Sequence, residues 1–232
     1  MDITAIKTKP YHDQNFGTSG LRRPVSVFMQ KNYVQNVVQS IFDSVSGFEG
    51  KTLVVGGDGR YFNDKAIQII LKIAAANGFS RIVVGKNGWL STPALSHLIT
   101  LKEAFGGIIL TASHNKGGKE GDFGIKFNLS NGAPAPLSVT DKITTNTKTI
   151  SRFWWIDSPD VILENTGIRQ LGQTVVEVVD PVADYANYMQ QIFDFKAIRQ
   201  LFKSGFRIVF NAMNAITGPY AHYIFEELLG AP

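Results

Sequence analysis

The chain has 232 residues, 44% of them hydrophobic and 18% charged, with no cysteine and a formal net charge of +4, which is enough apolar material for one or two folded domains. The lack of cysteine excludes a disulfide framework, a thiolate nucleophile and a cysteine metal site, and makes a cytosolic address the default expectation. The basic residues form no dense block despite a pI near 9.2, Met1 to Lys7 lacks the apolar core of a signal peptide, and no stretch approaches a membrane span, so neither nucleic acid nor a membrane is an expected partner.

In chain order, Val34, Val37, Val38, Ile41, Phe42 and Val45 recur at helical spacing, and Thr52-Leu53-Val54-Val55 is a compact run of the kind buried in a parallel strand. Asn63 is placed to cap a second helix bearing Ile67, Ile70, Ile73 and Ala74, which stops at Asn77-Gly78. Arg81 to Val84 is the next strand. Thr92 caps and Pro93 opens a third helix to about Glu103, and a strand ends at Leu110. Gly124 to Asn128 reads as a short strand, Ser138 to Ile150 as a polar helix, and Trp154 and Trp155 as packing residues. Thr174 to Val179 is a strand, Pro181 to Phe193 a helix, Phe206 to Phe210 a strand, and a last helix begins near Pro219.

Strands separated by helices imply βαβ units, in which ligands bind beyond the carboxyl ends of the strands. The expected fold is α/β: a mixed, mainly parallel sheet flanked by helices over residues 1–190, with residues 191–232 starting a second, similar α/β domain. The loops Gly56 to Arg60 and Gly85 to Gly88 are expected on the same rim as Thr111-Ala112-Ser113-His114-Asn115, which follows the run Gly106 to Leu110.

Ser113 has two competing chemical uses. A serine hydrolase would carry a Gly-x-Ser-x-Gly elbow, but here Ala112 and His114 flank the serine; no Gly-x-x-x-x-Gly-Lys-Ser/Thr nucleotide loop occurs either. A phosphoserine carrier fits better, because a serine phosphoester resists water and phosphoryl transfer needs chiefly alignment and positive charge around the phosphate oxygens. His114, Lys126 and Arg22 are donors suited to that work. Asp58 and Arg60 are expected to order the rim by local hydrogen bonds.

Gly17-Thr18-Ser19-Gly20-Leu21-Arg22, Val54 to Arg60, Leu90-Ser91-Thr92-Pro93-Ala94, Gly106 to Asn115 and Gly121 to Asn128 together resemble the phosphoglucomutases of the α-D-phosphohexomutase superfamily. The similarity continues through Asn131 to Pro136, Val178-Val179-Asp180, Ile192 to Phe195 and Thr217 to Tyr220, and so covers nearly the whole chain. It implies interconversion of α-D-glucose 1-phosphate and glucose 6-phosphate through glucose 1,6-bisphosphate, with Mg²⁺ required. By the same match Ser113 is the phosphorylated residue and its phosphate a metal ligand. Lys126 and His114 fall at positions of proton transfer and phosphate-loop contact, and Arg22 at that of an arginine approaching the phosphate. Thr18, Ser19 and Asn115 are the candidates for substrate and phosphate binding.

Three departures stand out: Lys116 follows His114-Asn115 where the family has proline, Asn15-Phe16 replaces Lys-Pro, and Asn211 replaces an aspartate before Ala-Met. Family members are longer, and their acidic metal loop, Gly-Glu-Glu-Ser sugar loop and C-terminal phosphate loop have no counterpart here, so the 232-residue chain alone is expected to have negligible mutase activity. The alternatives are a non-catalytic relative that binds sugar phosphates or partners, and a mutase for another hexose or amino sugar.

Overall fold

The computed structural model describes residues 2–231. Its centre is four parallel strands, β3 (Thr52–Gly57), β4 (Arg81–Trp89), β5 (Gly106–Leu110) and β9 (Thr174–Val179), paired β5 to β3, β3 to β4 and β4 to β9. The flanks are antiparallel: β6 (Asp122–Leu129) lies on β5, β2 (Leu21–Pro24) on β6, and β8 (Gly167–Leu171) on β9. The seven-stranded order is therefore β2-β6-β5-β3-β4-β9-β8.

Side chains alternate across a strand, so each central strand feeds two cores. Leu53, Val55, Ile82, Val84, Ile108 and Leu110 pack with α2 (Tyr33–Phe42), α3 (Asn63–Ala76) and Ile143 of α5 (Leu137–Thr149). Val54, Val83 and Ile109 point the other way, toward α4 (Thr92–Leu101) and α6 (Ala183–Ile192). The result is a mixed sheet with helices on both faces, in which β3 and β5 run side by side and both end on the rim carrying Asp58 and Ser113. A smaller cluster of Phe195, Phe202 and Leu229 joins α7 (Phe195–Lys203) to the π-helical segment His222–Leu228 that follows α8 (Thr217–Ala221).

Several expectations shift. Asn63 does not cap α3: the N-cap is Phe62, at φ 77° with no side-chain cap, and its ring packs edge-on against Phe123. Asn63 is instead buried and donates from Nδ2 to Gly88 O at 3.3 Å. In α4 the cap falls one residue earlier than expected: Ser91 Oγ accepts from Ala94 N at 3.3 Å, and Pro93 sits second in the helix. Gly85 to Gly88 is no rim loop. It belongs to β4, which continues past a register shift so that Trp89 pairs with Gly57.

Four strands escape sequence reading: β2 and β8 at the edges of the sheet, and two more that stand apart from it. β1 (Ile3–Lys7) and β7 (Arg152–Ile156) form a separate antiparallel pair, with Ile3 opposite Ile156 and Lys7 opposite Arg152. Trp155 packs against the core, whereas Trp154 lies under the Arg152 guanidinium, 5.5 Å from its ring centroid. Conversely, Phe206 to Phe210 forms no strand. A strand needs a partner for its backbone groups; the sheet ends at β2 and β8, and this run carries no regular secondary structure, with Val209 99% exposed.

Candidate active site

The site grows from the carboxyl ends of β3 and β5. Asp58 N donates to Leu110 O at 3.0 Å, extending the ladder beyond Gly57 and bringing the two loops together. Thr111 N donates to Gly124 O at 2.9 Å, which fastens the start of the serine loop to β6. Gly124 has to be glycine, because a Cβ there would collide with the Thr111 carbonyl oxygen.

From this base a polar network surrounds Ser113. The Thr111 hydroxyl donates to Asp58 Oδ2 at 2.6 Å and accepts from Ser113 N at 2.9 Å. Arg60 meets Asp58 through Nε at 3.0 Å and Nη2 at 3.0 Å, donates from Nη1 to Asp122 O at 2.6 Å, and donates from Nη2 to Ser113 O at 3.1 Å. Side-chain exposure of Arg60 and Asp58 is only 8% and 15%, so water screens the pair poorly. Ser113 itself has φ 57°, a left-handed conformation that costs a non-glycine residue about 1–2 kcal/mol and is worth explaining wherever it occurs.

Ser113, His114 and Asn115 line a cleft of about 1070 Å³, with Ser113 and His114 exposed to it. Asn115 is tied down, donating from Nδ2 to Asp122 Oδ2 at 2.8 Å. Lys116 and Gly117 continue the same wall, and the opposite wall is the segment from Phe210 to Thr217 with Tyr220. That second wall, Tyr61 and the role of Thr111 were missed by sequence reasoning. The signals in the sequence are Asn211, the stretch Thr217 to Tyr220, and the glycine-rich run ending in Asp58 and Arg60.

The other candidates are carried by β2, β6 and the turn before β2 and are not part of the cleft's lining, although Lys126 is close enough to Asp58 to feel its charge. Arg22 on β2 lies opposite Gly124 of β6, half-buried, with Nε enclosed and without a hydrogen-bond partner. Lys126, four residues after Asp122 on β6, is half-buried as well. Thr18 and Ser19 occupy the exposed tip of a turn closed by Gly20 N donating to Gly17 O at 2.8 Å. A Cβ on Gly20 would press on Lys126 Cγ at 2.7 Å, so this turn is seated directly over the lysine.

Burial lowers the Lys126 pKa below its ordinary value of 10.5, and the Arg22 charge lowers it further against an opposing pull from Asp58. The neutral amine is thus more accessible than on a solvated lysine. Because the unfolded chain holds this proton to higher pH, Lys126 penalises the fold below its lowered pKa, and the penalty fades as pH rises from there to 10.5. Urea unfolding across that window is expected to show wild type gaining stability relative to Lys126→Met as pH increases. A difference that stays flat with pH would contradict the assigned burial.

Among the described residues no group of three or more His, Cys, Asp or Glu side chains is placed to hold a metal ion. Asp58 and Asp122, the carboxylates woven into the network, are already committed to Arg60, Thr111 and Asn115. Among the described residues, these two carboxylates are therefore not free to serve as Mg²⁺ ligands.

Comparison with known proteins decides the family. Residues 13–153 match the model for phosphoglucomutase/phosphomannomutase, alpha/beta/alpha domain I. The chain belongs to the phosphoglucomutase/phosphomannomutase family. It is 54% identical over 230 residues to a phosphoglucomutase of Rhizobium radiobacter, covering 99% of this chain and 42% of that protein. It is 53% identical over 234 residues to a chloroplastic phosphoglucomutase of Solanum tuberosum, covering 100% of this chain and 37% of that one. Among solved structures, the open form of parafusin from Paramecium, titled a phosphoglucomutase and an exocytosis-sensitive phosphoprotein, superposes with a TM-score of 0.95 at 44% identity, over 99% of this chain and 44% of that chain. The chain thus spans about two fifths of the length of these family members, and it is similar to their N-terminal part.

Proposed function

We propose that this chain is the phosphoserine-bearing part of a phosphoglucomutase that interconverts α-D-glucose 1-phosphate and glucose 6-phosphate through glucose 1,6-bisphosphate. The observation that carries the reading is Ser113: a left-handed serine at the carboxyl end of a central strand, exposed to a large cleft, with both of its backbone polar groups anchored. Identity above 50% to relatives named phosphoglucomutase supports that activity over other sugar mutases.

In this mechanism a hydroxyl oxygen of the sugar monophosphate attacks phosphorus on phospho-Ser113. The bond from phosphorus to Ser113 Oγ breaks as the new bond to the sugar oxygen forms, and the hydroxyl proton passes through Lys126 to Oγ. The bisphosphate then returns its other phosphoryl group to Ser113 by the reverse of these steps. Lys126 suits the relay because its amine is held below the ordinary lysine pKa. His114, Arg22 and the cation of Lys116 offset the phosphate's charge of about −1.5 to −2; Asn115, Thr18 and Ser19 complete the contacts. Mg²⁺ belongs to the reading only through carboxylates supplied from outside this chain, with the Ser113 phosphate as the one donor contributed here, and no step above is routed through it.

The domain division follows the same reading: residues 1–190 form the serine-bearing domain, and residues 191–232 begin a second α/β unit. The cluster of Phe195, Phe202 and Leu229 supports a division near residue 190, although Tyr220, Ile216 and Ile224 of the same segment pack back against the core beside α4. The cytosol is the proposed address, with the plastid as the alternative suggested by the potato relative's name. Catalysis is assigned to the whole polypeptide; the 232-residue chain alone, with Ser113 open to water, is assigned negligible turnover. The test is to assay the full-length protein on glucose, mannose and glucosamine phosphates. Preference for glucose 1-phosphate supports the reading, and preference for either other sugar replaces it.

A further inference from the structure

We infer that Thr111, Arg60 and Asp58 are positioning residues for phosphoryl transfer at Ser113, acting by fixing both peptide planes that flank its Cα. This inference rests on the phosphoserine reading above. The N–H of Ser113 lies in the plane shared with Ala112, and it is held by Thr111 Oγ1 at 2.9 Å. The carbonyl of Ser113 lies in the plane shared with His114, and it is held by Arg60 Nη2 at 3.1 Å. Orienting the first plane sets φ, and orienting the second sets ψ, so two hydrogen bonds define a backbone conformation that a serine would otherwise leave.

Asp58 makes this clamp directional. A carboxylate only accepts hydrogen bonds, so the Thr111 hydroxyl proton must point at Asp58 Oδ2, 2.6 Å away, which turns an oxygen lone pair toward Ser113 N. The same carboxylate holds the Arg60 fork by Nε and Nη2, and Asp122 O fixes its remaining arm. Arg60 and Asp58 neutralise each other, so the clamp adds no net charge beside a phosphate that carries its own. None of the three side chains has to touch the sugar. What they control is the direction in which the bond from phosphorus to Ser113 Oγ is presented as it breaks and the bond to the sugar oxygen forms, and a misplacement of about 1 Å there costs about 10²-fold in rate.

The test uses the full-length enzyme, with Thr111→Val, Thr111→Ser and Arg60→Lys compared per folded molecule. Valine keeps the shape of threonine and loses the hydroxyl; it is expected to lower kcat about 10²-fold with KM nearly unchanged, while serine restores most of the rate. Lysine at position 60 keeps the charge and loses the fork, and is expected to lower kcat about tenfold even if the valine variant folds poorly. Unchanged kcat in the valine and lysine variants, or an equal loss with serine and valine, would overturn the inference. Ser113→Ala run alongside separates the two levels: an active alanine variant sinks the phosphoserine reading, whereas an inactive one beside an active Thr111→Val sinks only the clamp.

Discussion

Ser113→Ala in the full-length protein is expected to lower mutase turnover by on the order of 10⁴- to 10⁶-fold, the scale on which enzymes lose rate when a covalent carrier is removed. The Thr111 hydroxyl, two residues away, cannot substitute. Thr111 already donates to Asp58 and accepts from Ser113 N, and it is buried. The fold should be indifferent, because only the backbone groups of Ser113 enter the hydrogen-bond network, and alanine bears the left-handed φ of 57° about as well as serine does. A coupled assay should therefore show loss of activity, while urea unfolding shows stability changed by less than about 0.5 kcal/mol. Activity retained within tenfold would remove Ser113 from the chemistry.

Phe79→Ala is expected to produce the largest loss of stability, about 3–5 kcal/mol, because it opens a cavity at the meeting point of four rings. Phe79 is 1% exposed and stacks on Phe48 with centroids 5.0 Å apart; Phe42 lies at 5.1 Å and Phe105 at 6.3 Å. The cluster joins the end of α2, the turn after α3 and the start of β5. Retracting one ring leaves the other three without contacts that no small shift can replace. Urea denaturation measures the loss, and a change below about 1 kcal/mol would mean that the rings repack.

Phe79 also shows where sequence reading stops. The runs around Leu53, Ile82 and Ile108 were legible as central strands because they are short, continuous and β-branched, α2 and α3 were legible from apolar spacing, and α4 from Thr92-Pro93 at its start. Phe79 sits in a turn, where no periodicity marks it, and its burial comes from partners far away in the chain. β1 and β7 were hidden for the same reason: β1 is exposed along its whole length, β7 is only partly buried, and each exists because the other pairs with it. Phe206 to Phe210 is the converse, a run with strong strand character and no partner among the described residues.

The site divides similarly. Ser113, His114 and Asn115 could be placed on the rim because a strand leads directly into them. That Asp58 and Arg60 order the rim was also readable, from their position after a neighbouring parallel strand. Thr111 was not, since nothing in Thr-Ala-Ser announces that the hydroxyl two residues back accepts the serine N–H. The wall from Phe210 to Thr217 depends on α6 packing on α4 and on Ser91 N donating to the Tyr220 hydroxyl, which no local pattern encodes.

Covalent transfer to Ser113 is the most direct test. The full-length protein, first stripped of phosphate, is incubated with glucose 1,6-bisphosphate labelled in both phosphates and digested for mass spectrometry, and the labelled enzyme is then chased with unlabelled glucose 1-phosphate. Label is expected on Ser113 alone and leaves as sugar bisphosphate during the chase. Label on another residue, or an active enzyme that never carries label at Ser113, would contradict this expectation.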